Sequence, residues 1–209
     1  MKLVSLVSSG IDSPVATYLF SKKAEEIILL HGDIRPFTDK REIENFKKLV
    51  KHLKKICPYS LKVYIIPHGV SLNSYRENCN IRFTCIFCKR MLLRYAEKIA
   101  ENEGAEAIIM GDSLGQVASQ TLQNILVIDN AVKMLVLRPL IGFDKEDIIR
   151  IAKEIGTYDL SILPSHSCNA VPIKPSTSAK LEKILEEERR INIKKLINET
   201  LYRKEEMII

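Results

Sequence analysis

No stretch of this 209-residue sequence is apolar for long enough to cross a membrane, and none reads as a signal peptide. Membrane-bound and secreted classes are set aside on that ground, and a soluble cytoplasmic protein is the expectation. No internal repeat or low-complexity linker interrupts the chain, and its length suits one domain able to bury a core. Aromatic residues make up only 6%. Those near the basic segments, such as Tyr75 and Phe83, are too scattered to form a base-stacking platform. No Gly-Lys-Ser/Thr follows the first apolar run, which excludes the phosphate loop of the usual NTPases. The five cysteines, in a cytosolic chain, argue against a disulfide framework and for metal or redox use.

The net charge is +6, which permits a nucleic-acid partner without requiring one. Much of the excess lies in Lys40, Arg41, Lys47, Lys48, Lys51, Lys54 and Lys55, and in Arg189, Arg190, Lys194 and Lys195. Each group sits on a predicted helix, so a solvated helix face competes with an RNA-facing surface.

Strand-like and helix-like segments alternate. Short buried strands are expected at Lys2–Val7, Ile27–Leu30, Leu61–Ile66, Ala107–Met110 and Met134–Leu137. Helices are expected at Pro14–Ser21, Asp39–Lys55, Lys89–Glu103 and Lys145–Ile155, the last capped by Asp144 and followed by Gly156. A final helix is expected from about Ser178 to Leu201. This pattern predicts an α/β fold, a doubly wound, mainly parallel five-stranded sheet with helices on both faces and ligands at the strands' carboxyl ends. Tyr158 to Ser176 reads as a loop over the site. Residues 1–175 form the expected main domain and 176–209 its C-terminal helical extension.

Two runs carry the chemistry. Ser8-Ser9-Gly10-Ile11-Asp12-Ser13 lies between the first strand and a helix, where unpaired backbone N–H groups and the positive helix end converge on an anion. An ordinary Ser/Asp helix cap would look similar. Gly111-Asp112-Ser113-Leu114-Gly115-Gln116-Val117-Ala118-Ser119-Gln120-Thr121 follows the fourth strand with small and polar residues, as expected where a ligand nears the backbone. Cys85-Ile86-Phe87-Cys88 is a close thiol pair that suits redox, zinc or iron–sulfur roles, and Cys168 falls in the expected covering loop.

The first run resembles the Ser-Gly-Gly-x-Asp-Ser pyrophosphate loop of the ATP pyrophosphatases. The second is similar to a hallmark of the tRNA 4-thiouridine synthetases, the ThiI family, as are Lys89-Arg90-Met91-Leu92-Leu93-Arg94, Arg138 to Lys145 and Ile155 to Asp159. The resemblance covers the sulfurtransferase domain, with its Rossmann-like adenine nucleotide alpha hydrolase fold. The family's ferredoxin-like, THUMP and rhodanese domains have no counterpart in the sequence. Ser9 stands where the family usually has Gly, and serine prefers a negative φ, so the structure must decide the turn geometry there.

By resemblance, ATP is placed against Leu6, Val7, Ser8, Ser9, Gly10, Ile11, Asp12, Ser13, His31, Gly32, Lys89, Gly111 and Gln120. Asp12 also serves Mg²⁺ or orients the pyrophosphate, and Lys145 stabilises charge at the α-phosphate. Cys85, Cys88 and Cys168 resemble the three ligands of a four-iron four-sulfur cluster with one open iron in the archaeal branch. A persulfide on Cys168, resolved by Cys85 or Cys88, is the competing scheme. Cys79 is the weaker choice for a third ligand, and Cys57 reads as a structural thiol.

The implied activity is adenylation of a tRNA uridine, at position eight, followed by replacement of its O4 with sulfur. Implied partners are tRNA, a sulfide or persulfide donor, a separate THUMP-like tRNA-binding protein and a second copy of the chain. The alternatives are sulfur transfer to another RNA base or small molecule, a different AMP-forming ligase, and a non-catalytic nucleotide or iron–sulfur binding protein.

Overall fold

The structure, a computed structural model, describes residues 1–58 and 60–208. Tyr59 and Ile209, inside the expected domain spans, lie outside the described residues. In chain order the elements are β1 (Lys2–Leu6), α1 (Asp12–Ser21), β2 (Glu26–Gly32), α2 (Lys40–Ile56), β3 (Ser60–Ile66), α3 (Gly69–Asn78), α4 (Thr84–Glu103) and β4 (Ala107–Ile109). There follow α5 (Leu122–Asp129), β5 (Leu135–Leu137), α6 (Lys145–Glu154), α7 (Tyr158–Ser161), α8 (Leu181–Glu188), α9 (Ile193–Tyr202) and β6 (Glu205–Glu206). No described helix is long and apolar enough to cross a membrane.

The strands pair in the order β5-β4-β1-β2-β3-β6, all parallel except β6 against β3. Side chains alternate across a strand, so neighbouring residues feed opposite faces. Val4, Leu6, Ile28 and Leu30 enter a core with Phe87, Met91 and Tyr95 of α4. Leu3, Val7, Ile27 and Leu29 enter the other with Val15 and Ala16 of α1 and Phe46, Val50 and Leu53 of α2. Both faces are covered, which explains why the central strands read as unbroken apolar runs.

The sheet therefore has six strands rather than the expected five. β6 offers two exposed glutamates and no apolar alternation, and it is held by backbone pairing, with Met207 N donating to Val63 O at 2.9 Å. The expected last helix is two: α8 ends before Asn192, whose side chain accepts from Lys195 N at 3.0 Å and starts α9. The helix expected from Lys89 begins at Thr84, which puts Cys85 and Cys88 on its first turns. The segment expected as a loop from Tyr158 opens with α7, a helix too short to show periodicity. α3 and α5 were not anticipated: α3 is rich in poor helix formers (Gly, Ser, Asn), and α5 is a short apolar run. Gly156 does end α6, with φ 73°.

From Ile162 to Lys180 the chain crosses the carboxyl end of the sheet, tied down from both sides. Thr38 Oγ1 donates to His166 O at 2.6 Å, Asn169 N to Phe37 O at 2.9 Å, and Arg76 Nη1 to Ala170 O at 3.0 Å. At its far end the tie is Asn124, fully buried on α5. Its Nδ2 donates to Ala118 O at 2.7 Å and Ser176 O at 2.9 Å, while its Oδ1 accepts from Ala179 N at 2.9 Å. Asn124→Ala strands three backbone groups and is expected to cost about 1–3 kcal/mol, read as a lower thermal midpoint.

Candidate active site

β1 is flanked by β2 on one side and β4 on the other, so the chain reverses its winding direction there and leaves a crevice at the strands' carboxyl ends. A cleft of about 380 Å³ occupies it. Twelve of the residues assigned to ATP line this cleft: Leu6, Val7, Ser8, Gly10, Ile11, Asp12, Ser13, His31, Gly32, Lys89, Gly111 and Gln120. Ser9 is the exception. Its hydroxyl donates to Glu42 Oε1 at 2.9 Å.

The Ser8–Ser13 loop holds its own shape through Ser13 Oγ, which accepts from Ser8 N at 2.9 Å, and Ser8 Oγ, which accepts from Gly10 N at 3.3 Å. None of its residues has a positive φ, so serine at position 9 sits in an ordinary backbone conformation. No side chain caps α1 among the described residues. The plain helix-cap reading thus loses its support, and Ile11, Asp12 and Ser13 at the start of α1 line the cleft. Gly111 lies against the loop from β4's end: a Cβ there would come within 2.7 Å of Ser13 Cα and 2.8 Å of Ser13 N.

Lys145, at the start of α6, forms an ion pair with Asp12, so two assigned residues from opposite ends of the chain meet at the loop. Lys89 Nζ lies 2.6 Å from Asp112 Oδ1, and Arg138 Nε lies 3.0 Å from Oδ2. Burial by itself raises the Asp112 pKa, but the charges and hydrogen bonds of Lys89 and Arg138 outweigh it and hold the carboxyl below its usual range. Gln120 Nε2 also donates to Asp112, at 3.3 Å. Lys89 is thereby aimed into the cleft by an acid that carries no free charge of its own.

Cys85 and Cys88 sit three residues apart on α4, on one face of its positive end. Burial raises both thiols first, and the nearby Cys168 raises each further, while Lys89 pulls the other way. The helix turn and the crossing segment therefore bring all three sulfurs within electrostatic reach. Thiolates are the donor type an iron–sulfur group requires, so the residues fit such a group in kind. Among the described residues no three His, Cys, Asp or Glu, Cys85, Cys88 and Cys168 included, are gathered closely enough to hold a metal ion. Cys88 Sγ lies 3.2 Å from His68 Nε2, a fully buried ring whose pKa burial pushes down to about 3. Cys79 lies apart, with its thiol donating to Glu187 O at 3.4 Å, and Cys57 is buried in the α2 core.

Sequence reasoning missed Glu42, Leu30, Ile34, Leu92, Met110, Asp112 and Val117 as cleft residues. Asp112 and Val117 were inside a recognised run, but Glu42 belongs to no motif.

A family model described as thiamine biosynthesis protein (ThiI) matches residues 1–193. The chain belongs to the ThiI family. Among relatives of this ThiI chain, a probable tRNA sulfurtransferase of Methanothermobacter thermautotrophicus is 44% identical over 97% of the chain and 52% of its own length. One from Methanobrevibacter smithii is 45% identical over 94% and 52%. The ThiI chain thus spans about half the length of the curated relatives it matches. A solved 4-thiouridine synthetase–RNA complex with bound ATP aligns with all of the chain and 55% of its own, at a TM-score of 0.94 and 33% identity. The NMN synthetase of Francisella tularensis, 15% identical with a TM-score of 0.56, shares the fold alone.

Proposed function

We propose that this ThiI chain carries out ATP-dependent sulfur transfer to a tRNA uridine, at position eight, in the cytoplasm. The observation that supports the reading is that Cys85, Cys88 and Cys168 lie within electrostatic reach of one another, next to Lys89, which lines the same cleft as the Ser8–Ser13 loop. An ATP site alone has no use for three converging thiols.

ATP lies along the twelve cleft residues, with its pyrophosphate against the loop's N–H groups. Uridine O4 attacks the α-phosphorus, the α–β bond breaks, and pyrophosphate leaves with the adenylated base behind. Asp12 would hold Mg²⁺, a hard cation suited to one carboxylate and phosphate oxygens. Lys145 and Lys89 offset the charge that builds on the phosphoryl oxygens. Sulfur then attacks uridine C4, the C–O bond breaks, and AMP departs. Cys85, Cys88 and Cys168 would hold a four-iron four-sulfur cluster, which supplies an open iron for sulfide. In the competing reading Cys168 carries a persulfide from a donor, and Cys85 or Cys88 closes a disulfide with it that an external thiol must reduce.

tRNA is the partner in this reading, supported by the solved relative's RNA complex and by the exposed lysines of α2. A THUMP-like protein and a second copy of the chain complete the proposed partners. Residues 1–175 are taken as the ATP pyrophosphatase domain and 176–209 as its extension.

The test separates the half-reactions. Asp12→Ala is expected to abolish pyrophosphate release with tRNA and ATP. Cys85→Ala and Cys88→Ala are expected to release pyrophosphate normally and form no thiouridine. Normal thiolation by either Cys variant overturns the sulfur-site reading. Brown colour and cluster absorbance in anaerobically prepared protein, lost on Cys85→Ala, select the cluster over the persulfide.

A further inference from the structure

Glu42 sits in the first turn of α2 and lines the cleft, with its side chain 13% exposed. A carboxylate beside a phosphate site is unfavourable unless it is neutralised and occupied. Both oxygens of Glu42 are occupied. Oε1 accepts from Ser9 Oγ at 2.9 Å, and Oε2 lies 3.1 Å from His31 Nε2. Burial of itself raises the Glu42 pKa, but His31 and then Ser9 overcome it, and the net shift is downward.

The opposite side of His31 is fixed as well. Its Nδ1 lies 2.9 Å from Val7 O, a carbonyl that only accepts, so this nitrogen donates. Its other nitrogen, Nε2, faces the Glu42 carboxylate, so the ring is held between the loop's entry strand and α2. The ring also stacks on Phe46, with centroids 4.0 Å apart and planes inclined by 16°. Glu42 and Phe46 are four residues apart on α2 and share a face, so one helix supplies both the edge and the floor of the histidine's seat. Val7 leads directly into the loop, and Ser9 is inside it.

We propose that Glu42 is a positioning residue for the nucleotide loop, acting as a brace through Ser9 on one side and through His31 and Val7 on the other. The serine at position 9, in an ordinary backbone conformation, gives the loop a side-chain tether to α2 that a glycine there would lack. The Ser9 hydroxyl is thus held on the Glu42 carboxylate at the edge of the cleft. The proposal rests on the ATP reading only for its functional consequence.

The competing explanation is an acidic residue that merely favours the first turn of α2. Two readouts separate them: hydrogen exchange at the Gly10, Ile11, Asp12 and Ser13 amides without nucleotide, and the Kd for Mg-ATP. Ser9→Ala is expected to speed exchange and weaken ATP about tenfold, the loss of one hydrogen bond to a charged group, and Glu42→Ala to do both more strongly, since the His31 contact is lost too. The Ser9→Ala/Glu42→Ala double variant is expected to match Glu42→Ala alone, because that variant already removes the Ser9 bond along with the His31 contact. Glu42→Gln, which keeps an acceptor for Ser9, is expected to recover most of the loss. Multiplicative effects in the double variant, or unchanged loop exchange in Ser9→Ala, overturn the brace. Expected exchange with no ATP binding by the wild type leaves the brace standing and removes the ATP reading instead. If Glu42→Ala does not fold, Ser9→Ala and Glu42→Gln decide.

Discussion

Glu188→Ala is expected to destabilise the protein by about 3–5 kcal/mol, the largest stability loss anticipated for any single substitution here. Glu188 on α8 takes Arg90 Nε and Nη2, both at 2.9 Å, and Arg94 Nη1 and Nη2, both at 2.7 Å. Arg90 is only 1% exposed, and its remaining contact is with Val127 O. Without the carboxylate, two guanidinium groups face each other in the core with no counter-charge, and α8 loses its anchor to α4. A domain's total stability is about 5–15 kcal/mol, so the variant stands near the edge of folding. The midpoint and slope of urea unfolding measure the loss. Replacing Arg90, Arg94 and Glu188 together by apolar residues of similar volume is expected to cost much less, since no charge is then left buried.

The same cluster gives a pH dependence. Burial raises the Glu188 pKa, and the hydrogen bonds of Arg90 and Arg94 more than reverse it, leaving the folded value below the ordinary 4.5. The contribution is complete above that ordinary value and fades as the pH falls through the folded one. Acid unfolding of the Glu188→Gln variant is therefore expected to be flatter between these limits than that of the wild type.

Gly111→Ala is expected to weaken ATP binding by about ten- to a hundredfold while the sheet stays folded. The added methyl meets backbone, Ser13 Cα and N and then Asp12 C at 3.0 Å, and backbone cannot rotate aside as a side chain can. Relief requires the loop to move away from β4, and overpacking of this kind costs about 1–3 kcal/mol. The displacement falls on the turn that aims N–H groups at phosphate and carries Asp12. Equilibrium titration with Mg-ATP, alongside circular dichroism, separates lost binding from lost fold. Affinity within about threefold of wild type would mean the loop tolerates the shift.

Features written in contiguous residues were readable beforehand. The Ser8–Ser13 loop, the Gly111–Thr121 run and the Cys85/Cys88 pair each carry their signal within a few positions; residues of the first two line one crevice, and the pair sits on α4 next to Lys89, which lines it too. The meeting of Lys145 with Asp12 was reached only through family resemblance, because nothing in either residue's neighbourhood points to the other. Glu42 and Glu188 were invisible for the same reason: an acid on an amphipathic helix reads as solvent-facing until the helix is docked. Arg90 and Arg94 illustrate the converse, since a familial basic motif near a phosphate site proves to be spent on a buried carboxylate. β6 and the break before α9 escaped because one depends on backbone pairing and the other on a single Asn192 cap, and neither leaves a periodic trace.

Within α4, Cys85, Cys88 and Lys89 occupy little more than one helical turn. A rigid spacer therefore sets the distance between the sulfur-bearing groups and the cation facing the cleft, and no hinge lies between them. A shift of that rod carries Cys85, Cys88 and Lys89 together, while Cys168 rides on the separate crossing segment. Inserting one residue between Cys88 and Lys89 would turn one against the other by about 100° of helical rotation and uncouple steps that point substitutions can only weaken.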